Sequence, residues 1–179
     1  SEKVVYTGNP VRNEFGEQNR DFARSELGIA HDDFVVLIFG GSLGAETIND
    51  IGLAIINKYG DDRNVTILFG TGKDYYEHVN NRLKVGGKEV PANVRLMPYI
   101  SEMAKMLSAS NVIICRSGAL STAEVTMAGR AAIFIPSPNV TGDHQYYNAK
   151  AVADNGGAVL ITEDGDVELR VLNALKALR

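Results

Sequence analysis

The sequence predicts an α/β fold built on one doubly wound, parallel β-sheet. Short apolar segments alternate along the chain with longer segments whose apolar residues recur at helical spacing. The apolar segments are nearly continuous, which is typical of parallel strands that are buried on both faces. Each parallel crossover requires a long connection, and the helical segments supply it.

The predicted elements follow one another in a regular order. Strands are predicted at residues 4–7, 34–39, 65–69, 94–97, 112–114, 132–135 and 158–161. Helices are predicted at residues 22–27, 45–59, 74–85, 101–108, 120–128, 144–155 and 167–178. Ligands of such Rossmann-like sheets bind outside the carboxyl ends of the strands, so we expect function in the loops that follow the strands.

Size and composition restrict the class of protein. The chain has 179 residues, of which 45% are hydrophobic, and we predict a single domain over residues 1–179. Its formal net charge of −4 gives no general attraction for nucleic acid. The single cysteine, Cys115, cannot form an internal disulfide, and we interpret it as a small core or turn residue of a reduced protein. Because no apolar run is long enough to cross a bilayer, we expect a soluble protein.

Two loops are candidates for binding phosphate. Gly40-Gly41-Ser42-Leu43-Gly44-Ala45, which we call the first glycine loop, precedes the longest predicted helix. Its backbone and the Ser42 hydroxyl could approach a phosphate, although tight packing explains such a loop equally well. In Gly8-Asn9-Pro10-Val11-Arg12, the proline stiffens the turn that carries Arg12, whose guanidinium suits a diphosphate. Taken alone, Arg12 is more simply an exposed arginine. We interpret Gly70-Thr71-Gly72-Lys73, the second glycine loop, as a turn.

Residues 115–124 combine the end of a strand, a turn and the start of a helix. The free N–H groups of such a helix start suit a phosphate or a sugar diol. Glu124 has two interpretations, because it could accept hydrogen bonds from ribose hydroxyls or complete a capping box with Ser121. Capping is the stronger interpretation of this segment alone, but the other loops shift the balance towards ribose.

Two further segments carry groups suited to a nucleotide sugar. Gln145 and Asn148 share one helical face and offer amides to sugar hydroxyls, while Asp143 is most simply an N-cap. The extended chain around Tyr99 and Ile100 could pair its backbone with the edge of a base. No two histidines have the spacing of metal ligands, so we predict no metal and no other cofactor.

Four of these segments together resemble the C-terminal half of the MurG family of glycosyltransferases, over about residues 4–161. They are residues 8–12, 40–45, 116–124 and 144–149. The family makes lipid II for peptidoglycan, by transferring N-acetylglucosamine (GlcNAc) from UDP-GlcNAc to lipid I with inversion and without metal. The resemblance implies one half of a GT-B fold, namely the domain that binds the donor.

The resemblance also implies a role for each matching position. Arg12 and Ser42 would contact the diphosphate, the Ile100 backbone would contact uracil with Met103 close by, and Glu124 would accept both ribose hydroxyls. Gln145 and Asn148 would hold the GlcNAc hydroxyls. The other implied binding residues are Gly41, Leu43, Gly44, Ser117, Gly118, Ala119, Leu120 and His144. Many members have glutamine in place of Leu43 and His144, so Leu43 could serve only through its backbone and the role of His144 stays open.

Nothing in this sequence matches the family's N-terminal acceptor domain, which supplies the general base and the membrane-facing surface. We therefore predict no catalytic residue here, and we expect an isolated domain, separated by engineering, that binds UDP-GlcNAc weakly and transfers nothing. Contact with lipid I and with the membrane would belong to the parent enzyme, which lies in the bacterial cytoplasm on the inner face of the cell membrane.

Three other functions compete with this one. Another UDP-sugar enzyme of the GT-B class, such as a 2-epimerase, is disfavoured by the match at residues 116–121. A non-catalytic nucleotide-binding module on the same scaffold remains possible because fold does not fix function. An NAD-dependent oxidoreductase is disfavoured because no acidic residue follows the strand at residues 65–69 to hold a ribose.

Overall fold

The computed structural model describes residues 8–179, apart from the side chain of residue 17. The strand predicted at residues 4–7 therefore lies outside the described part of the chain. Within it, six parallel strands form one sheet. They are β1 Phe34–Phe39, β2 Val65–Gly70, β3 Val94–Met97, β4 Val112–Cys115, β5 Ala131–Phe134 and β6 Ala158–Leu160.

Eight α-helices connect and cover these strands in residues 8–179. They are α1 Glu14–Glu17, α2 Arg20–Leu27, α3 Glu46–Tyr59, α4 Tyr76–Leu83, α5 Met103–Ala109, α6 Ala119–Ala128, α7 His144–Ala153 and α8 Val167–Leu178. None of them is both long enough and apolar enough to cross a membrane.

The predicted helix boundaries differ most from the observed ones at the first two helices. The sequence analysis does not predict α1, a single turn of four residues. The next helix begins at Arg20 instead of residue 22 because Asn19 caps it, its Oδ1 accepting hydrogen bonds from the N–H groups of Asp21 (2.8 Å) and Phe22 (3.1 Å). An asparagine side chain at this position satisfies donors that a helix start otherwise leaves free.

The strand order is β3-β2-β1-β4-β5-β6. The chain therefore builds the sheet outwards in one direction from β1 and then returns to add β4 on the other side of β1. The last residues of these two central strands, Phe39 and Cys115, are direct neighbours in the parallel register. The loops that follow them leave the sheet side by side, and this switch point is where doubly wound sheets bind ligands.

Successive side chains of β1 point to opposite faces of the sheet, so the hydrophobic core has one part on each face. Val36 and Ile38 pack with α3, α4 and α8, whereas Val35, Leu37 and Phe39 pack with α1, α2, α5, α6 and α7. All of these β1 side chains are buried. Burial on both faces explains why the central strands are apolar at every position, and it confirms the predicted doubly wound sheet.

Candidate functional site

A cleft of about 200 Å³ opens at the carboxyl edge of the sheet, beside the switch point. It is lined by Arg12, Phe15, Phe39, Gly41, Ser42, Gly70, Gly72, Pro98, Tyr99, Ile100, Met103, Ser121 and Glu124. One wall consists of glycine backbone, a second is apolar and aromatic, and Arg12 and Glu124 supply the charged groups. This combination suits a ligand with a flat ring, hydroxyls and an anionic group.

The first glycine loop forms the wall nearest to α3. The helix begins at Glu46, and its N-cap, Ala45, has no side chain that can accept from the first N–H groups. Those donors and the positive end of the helix dipole are consequently available to an anion. Gly41 and the exposed Ser42 line the cleft, whereas the Leu43 side chain is 72% exposed to solvent and leaves only its backbone for binding.

The two glycine loops pack directly against each other. Gly72 has a φ of +85°, and a Cβ atom placed on it would lie 2.4 Å from both the amide nitrogen of Gly44 and the carbonyl oxygen of Leu43. In the second glycine loop, which the sequence predicts to be a turn, Gly70 ends β2 and the turn begins only at Lys73. This loop also lines the cleft, through Gly70 and Gly72. The sequence analysis missed this second role, which depends on an approach between distant segments.

The structure rules out one of the two interpretations of Glu124. Helix α6 begins at Ala119 with Gly118 as its N-cap, so Ser121 is already the third helical residue and cannot be the cap. The capping-box interpretation is therefore wrong. Glu124 faces the cleft, and within the described residues its carboxylate forms no hydrogen bond to protein.

The charge of the Glu124 carboxyl is set by its surroundings. Burial raises its pKa above the ordinary value, the positive charge of Arg12 opposes this shift, and the nearby negative charge of Glu14 adds to it. A carboxylate that has lost water contacts without gaining hydrogen-bond donors is well suited to accept them from a ligand.

Arg12 lies at the mouth of the cleft. Its Nη2 forms an ion pair with Glu14 (3.0 Å), and its guanidinium lies 5.2 Å from the centre of the Phe15 ring. The preceding turn is fastened to the start of α6, because Asn9 Nδ2 donates to the carbonyl oxygen of Ala119 (3.2 Å). The mainly exposed Arg12 side chain can therefore turn between Glu14 and an anionic ligand.

The opposite wall is apolar. Ile100 is 6% exposed, and a Cβ atom added to Gly70 would lie 2.7 Å from its Cδ1. Tyr99 is half exposed, with Lys73 Nζ lying 5.7 Å from the centre of its ring. With Met103 beside them, these residues form an apolar surface that could contact a planar ring. Pairing of the backbone around Ile100 with the edge of a base stays a prediction.

Gln145 and Asn148 do not line the cleft. Asn148 Nδ2 donates to the carbonyl oxygen of Ser117 (3.0 Å), and Gln145 Oε1 accepts from the amide N–H of Ser137 (2.9 Å). Ser117 is fully buried, and its hydroxyl donates to the carbonyl oxygen of Gln145 (2.8 Å). Each amide is thus partly used inside the protein. The Asn148 amide and the Gln145 backbone carbonyl hold the turn at the start of α6, whereas the Gln145 amide holds the loop after β5.

The remaining predicted positions lie around this turn. Gly118, Ala119 and Leu120 form the start of α6 but do not line the cleft, and the Leu120 side chain is exposed. His144 is exposed, with Nδ1 3.0 Å from the carbonyl oxygen of Thr141. Asp143 occupies the predicted N-cap position, but its side chain makes no capping bond, since the residue adopts a left-handed conformation with φ +49°.

The sequence analysis missed several lining residues. Apart from the two glycines of the second glycine loop, they are Phe15, Phe39, Pro98 and Ser121. Phe39 ends β1 and Ser121 lies one helical turn before Glu124, so both could have been inferred from neighbouring predicted positions. Phe15 lies in the short α1, which gives no periodic signal.

Metal binding and thiol chemistry are two further functions that side chains of this protein could supply. Among residues 8–179, no group of three or more histidine, cysteine, aspartate or glutamate side chains is placed to hold a metal ion. Cys115 is completely buried at the end of β4, and burial raises the pKa of its thiol far above the ordinary value. It is therefore a packing residue, as predicted, and its burial disfavours the thiolate form that a nucleophile needs.

Comparison with known proteins identifies the family. The pattern of the glycosyltransferase family 28 C-terminal domain matches residues 35–179. The chain belongs to this family. Its curated relatives include UDP-N-acetylglucosamine–N-acetylmuramyl-(pentapeptide) pyrophosphoryl-undecaprenol N-acetylglucosamine transferases. The protein from Acetivibrio thermocellus is 41% identical over 161 residues, and that from Desulforudis audaxviator is 38% identical over 178 residues. These matches cover 90% and 98% of this chain but only 43% and 48% of the relatives, so the chain spans about half their length.

Solved structures agree with this assignment. MurG from Acinetobacter baumannii matches with a TM-score of 0.71 and 31% identity, over 99% of this chain and 49% of that one. The C-terminal CMP-Kdo binding domain of WaaA from the same organism matches with a TM-score of 0.63 at 14% identity, over 93% of this chain and 90% of that one. The second likeness concerns the fold alone. Together they confirm a Rossmann-like sheet of the GT-B type.

Proposed function

We propose that this chain binds UDP-GlcNAc and is the donor-binding part of an enzyme that transfers GlcNAc to undecaprenyl-diphospho-MurNAc-pentapeptide. The names of the relatives at 38–41% identity support the reaction. The cleft supports donor binding, because it joins a glycine loop, an apolar wall and a carboxylate that accepts no hydrogen bond from residues 8–179. The position of Glu124 carries the proposal, since helix capping does not account for it.

Each part of the cleft suits one part of UDP. The surface formed by Tyr99, Ile100 and Met103 would take uracil, and the Glu124 carboxylate would accept hydrogen bonds from the ribose hydroxyls. The diphosphate would lie between Arg12 and Ser42, near the N-terminus of α3. During transfer, the helix dipole and Arg12 would stabilise the negative charge that develops on departing UDP, so the reaction would need no metal.

The sugar would extend towards the start of α6 and α7. The groups that the internal hydrogen bonds leave available there are Gln145 Nε2 and Asn148 Oδ1, one donor and one acceptor. The starts of these two helices also present the backbone of Gly118, Ala119 and Leu120 and the exposed side chain of His144. We propose that Gln145 and Asn148 both hold this turn and contact sugar hydroxyls.

The acceptor side of the reaction is assigned to another part of the parent enzyme. Relatives are about twice as long as this chain, and we propose that their additional half supplies the general base and the contacts with lipid I and the membrane. We expect residues 1–179 to form a single donor-binding domain that makes no lipid II by itself. The parent enzyme would act on the cytoplasmic face of the bacterial cell membrane during cell-wall synthesis.

Titration with several nucleotide sugars tests this function. We expect UDP-GlcNAc to bind more tightly than UDP-glucose and UDP-GalNAc, because the sugar side offers specific polar contacts, and we expect NAD not to compete. Isothermal calorimetry with each ligand, and competition against UDP, would measure these differences. Equal affinity for UDP and all UDP-sugars would instead indicate a nucleotide-binding module, and preference for a different sugar would indicate another UDP-sugar enzyme.

A further inference from the structure

A mostly buried ion pair lies beside the cleft without entering it. Arg116 follows β4, at the base of the turn that starts α6, and its Nη1 pairs with Glu163 Oε1. The two side chains are only 14% and 18% exposed. Arg116 Nη1 also donates to the carbonyl oxygen of Ile135 (3.1 Å), so the guanidinium is directed into the protein and away from the ligand.

The second oxygen of the same carboxylate reaches another element. Thr47 Oγ1 donates to Glu163 Oε2 (3.1 Å). Thr47 is the second residue of α3, directly after the first glycine loop. Glu163 itself lies after β6, in the connection that leads to α8, so it belongs to neither of the two elements that it joins.

We propose that Glu163 is a positioning residue of the donor site, and that its carboxylate fixes the separation between the N-termini of α3 and α6. The inference rests on the proposed function, because that function places the diphosphate near the N-terminus of α3 and the ribose at Glu124 of α6. One oxygen holds the turn before α6 through Arg116, and the other holds α3 through Thr47. Ligand contacts on the two helices would otherwise move independently.

A contribution to the free energy of folding does not by itself explain why Glu163 contacts both Arg116 and Thr47. A partly buried ion pair gains little net free energy of folding, since desolvation of both charges offsets their attraction. Simple neutralisation of Arg116 would need only one carboxylate oxygen and no contact with Thr47. The use of both oxygens on two separate elements favours a geometric role.

Paired variants at Thr47 test the inference without leaving Arg116 unpaired. In Thr47→Val the shape is kept but the hydroxyl is lost, whereas Thr47→Ser keeps the hydroxyl. We expect Thr47→Val to weaken UDP binding by about threefold and Glu163→Ala by about tenfold, while Thr47→Ser stays within about twofold of wild type. Uridine affinity should not change in any variant, because uridine reaches α6 through its ribose but lacks the diphosphate that is proposed to contact α3.

Affinities for UDP and uridine would be measured by titration followed through backbone amide NMR shifts, which also report whether each variant is folded. Asp154→Asn, which removes a carboxylate from the exposed ion pair with Lys150 at the end of α7, is the matched control and should leave both affinities unchanged. Unchanged or tighter UDP binding by Thr47→Val and Glu163→Ala would overturn the positioning role. Equal loss of UDP and uridine affinity would overturn it as well, because it would show general damage to the cleft. Failure of wild type to bind UDP would instead overturn the proposed function.

Discussion

Glu124 shows how one residue's role depends on where a helix begins. The spacing of Ser121 and Glu124 fits a capping box, and the sequence alone favours that interpretation. The structure starts α6 at Ala119, two residues before Ser121, and turns the carboxylate into the cleft. A short-range pattern could not predict this, because α7 holds Ser117, the residue directly before the N-cap, through two long-range hydrogen bonds.

The raised pKa of Glu124 predicts a pH dependence of binding. Only the ionised carboxylate can accept hydrogen bonds from both ribose hydroxyls, and burial makes this form less favourable than in an exposed glutamate. Affinity should therefore fall as pH is lowered through the raised pKa, and the fall should begin above the ordinary range of glutamate carboxyl groups. Uridine is the suitable ligand because it carries no phosphate that titrates in the same range.

NMR titration of uridine at a series of pH values would measure this effect. Glu124→Gln should bind more weakly at neutral pH and show a flat profile. A wild-type profile that is equally flat down to the ordinary glutamate range would contradict the assignment of the ribose to Glu124.

At the scale of elements, the contact between the two glycine loops sets the shape of the cleft. Gly72→Ala should destabilise the protein strongly, because it combines a positive φ with a Cβ atom 2.4 Å from backbone of the first glycine loop. Gly156→Ala is the matched control, since Gly156 has a similar φ of +75° but nothing within 4 Å of the added atom. Backbone strain alone costs roughly 1–2 kcal/mol in the control.

We expect the free energy of unfolding, measured in urea, to fall by clearly more for Gly72→Ala than for Gly156→Ala. UDP affinity should also fall in Gly72→Ala alone, because the first glycine loop must move. Equal destabilisation by the two substitutions would show that the loops separate without cost.

The elements also show what the sequence could and could not predict. Strands buried on both faces have an unambiguous apolar pattern, and every predicted boundary from β1 onwards lies within two residues of the observed one. The lining roles of Gly70 and Phe15 were missed because they depend on tertiary approaches. The internal hydrogen bonds of Gln145 and Asn148 were missed for the same reason, since both amides were expected to face the ligand.

At the scale of the whole molecule, strand order brings the separate motifs together. The loop after β1 and helix α6, which follows β4, are far apart in sequence, but β1 and β4 are neighbours, so this loop and this helix border one cleft. Arg12 and the segment around Ile100 form two further sides of this cleft. Residues 8–179 thus line a cleft of about 200 Å³ at the switch point, while about half of each relative's length lies beyond the match.

Calorimetric titration of UDP into wild type and Glu124→Ala tests the central claim most directly. We predict that wild type binds UDP and that Glu124→Ala loses roughly 1.5–3 kcal/mol of binding free energy, the contribution of hydrogen bonds to a charged group. With 2′,3′-dideoxy-UDP, which lacks both hydroxyls, the two proteins should bind almost equally. Equal affinity of wild type and Glu124→Ala for UDP itself would contradict the account.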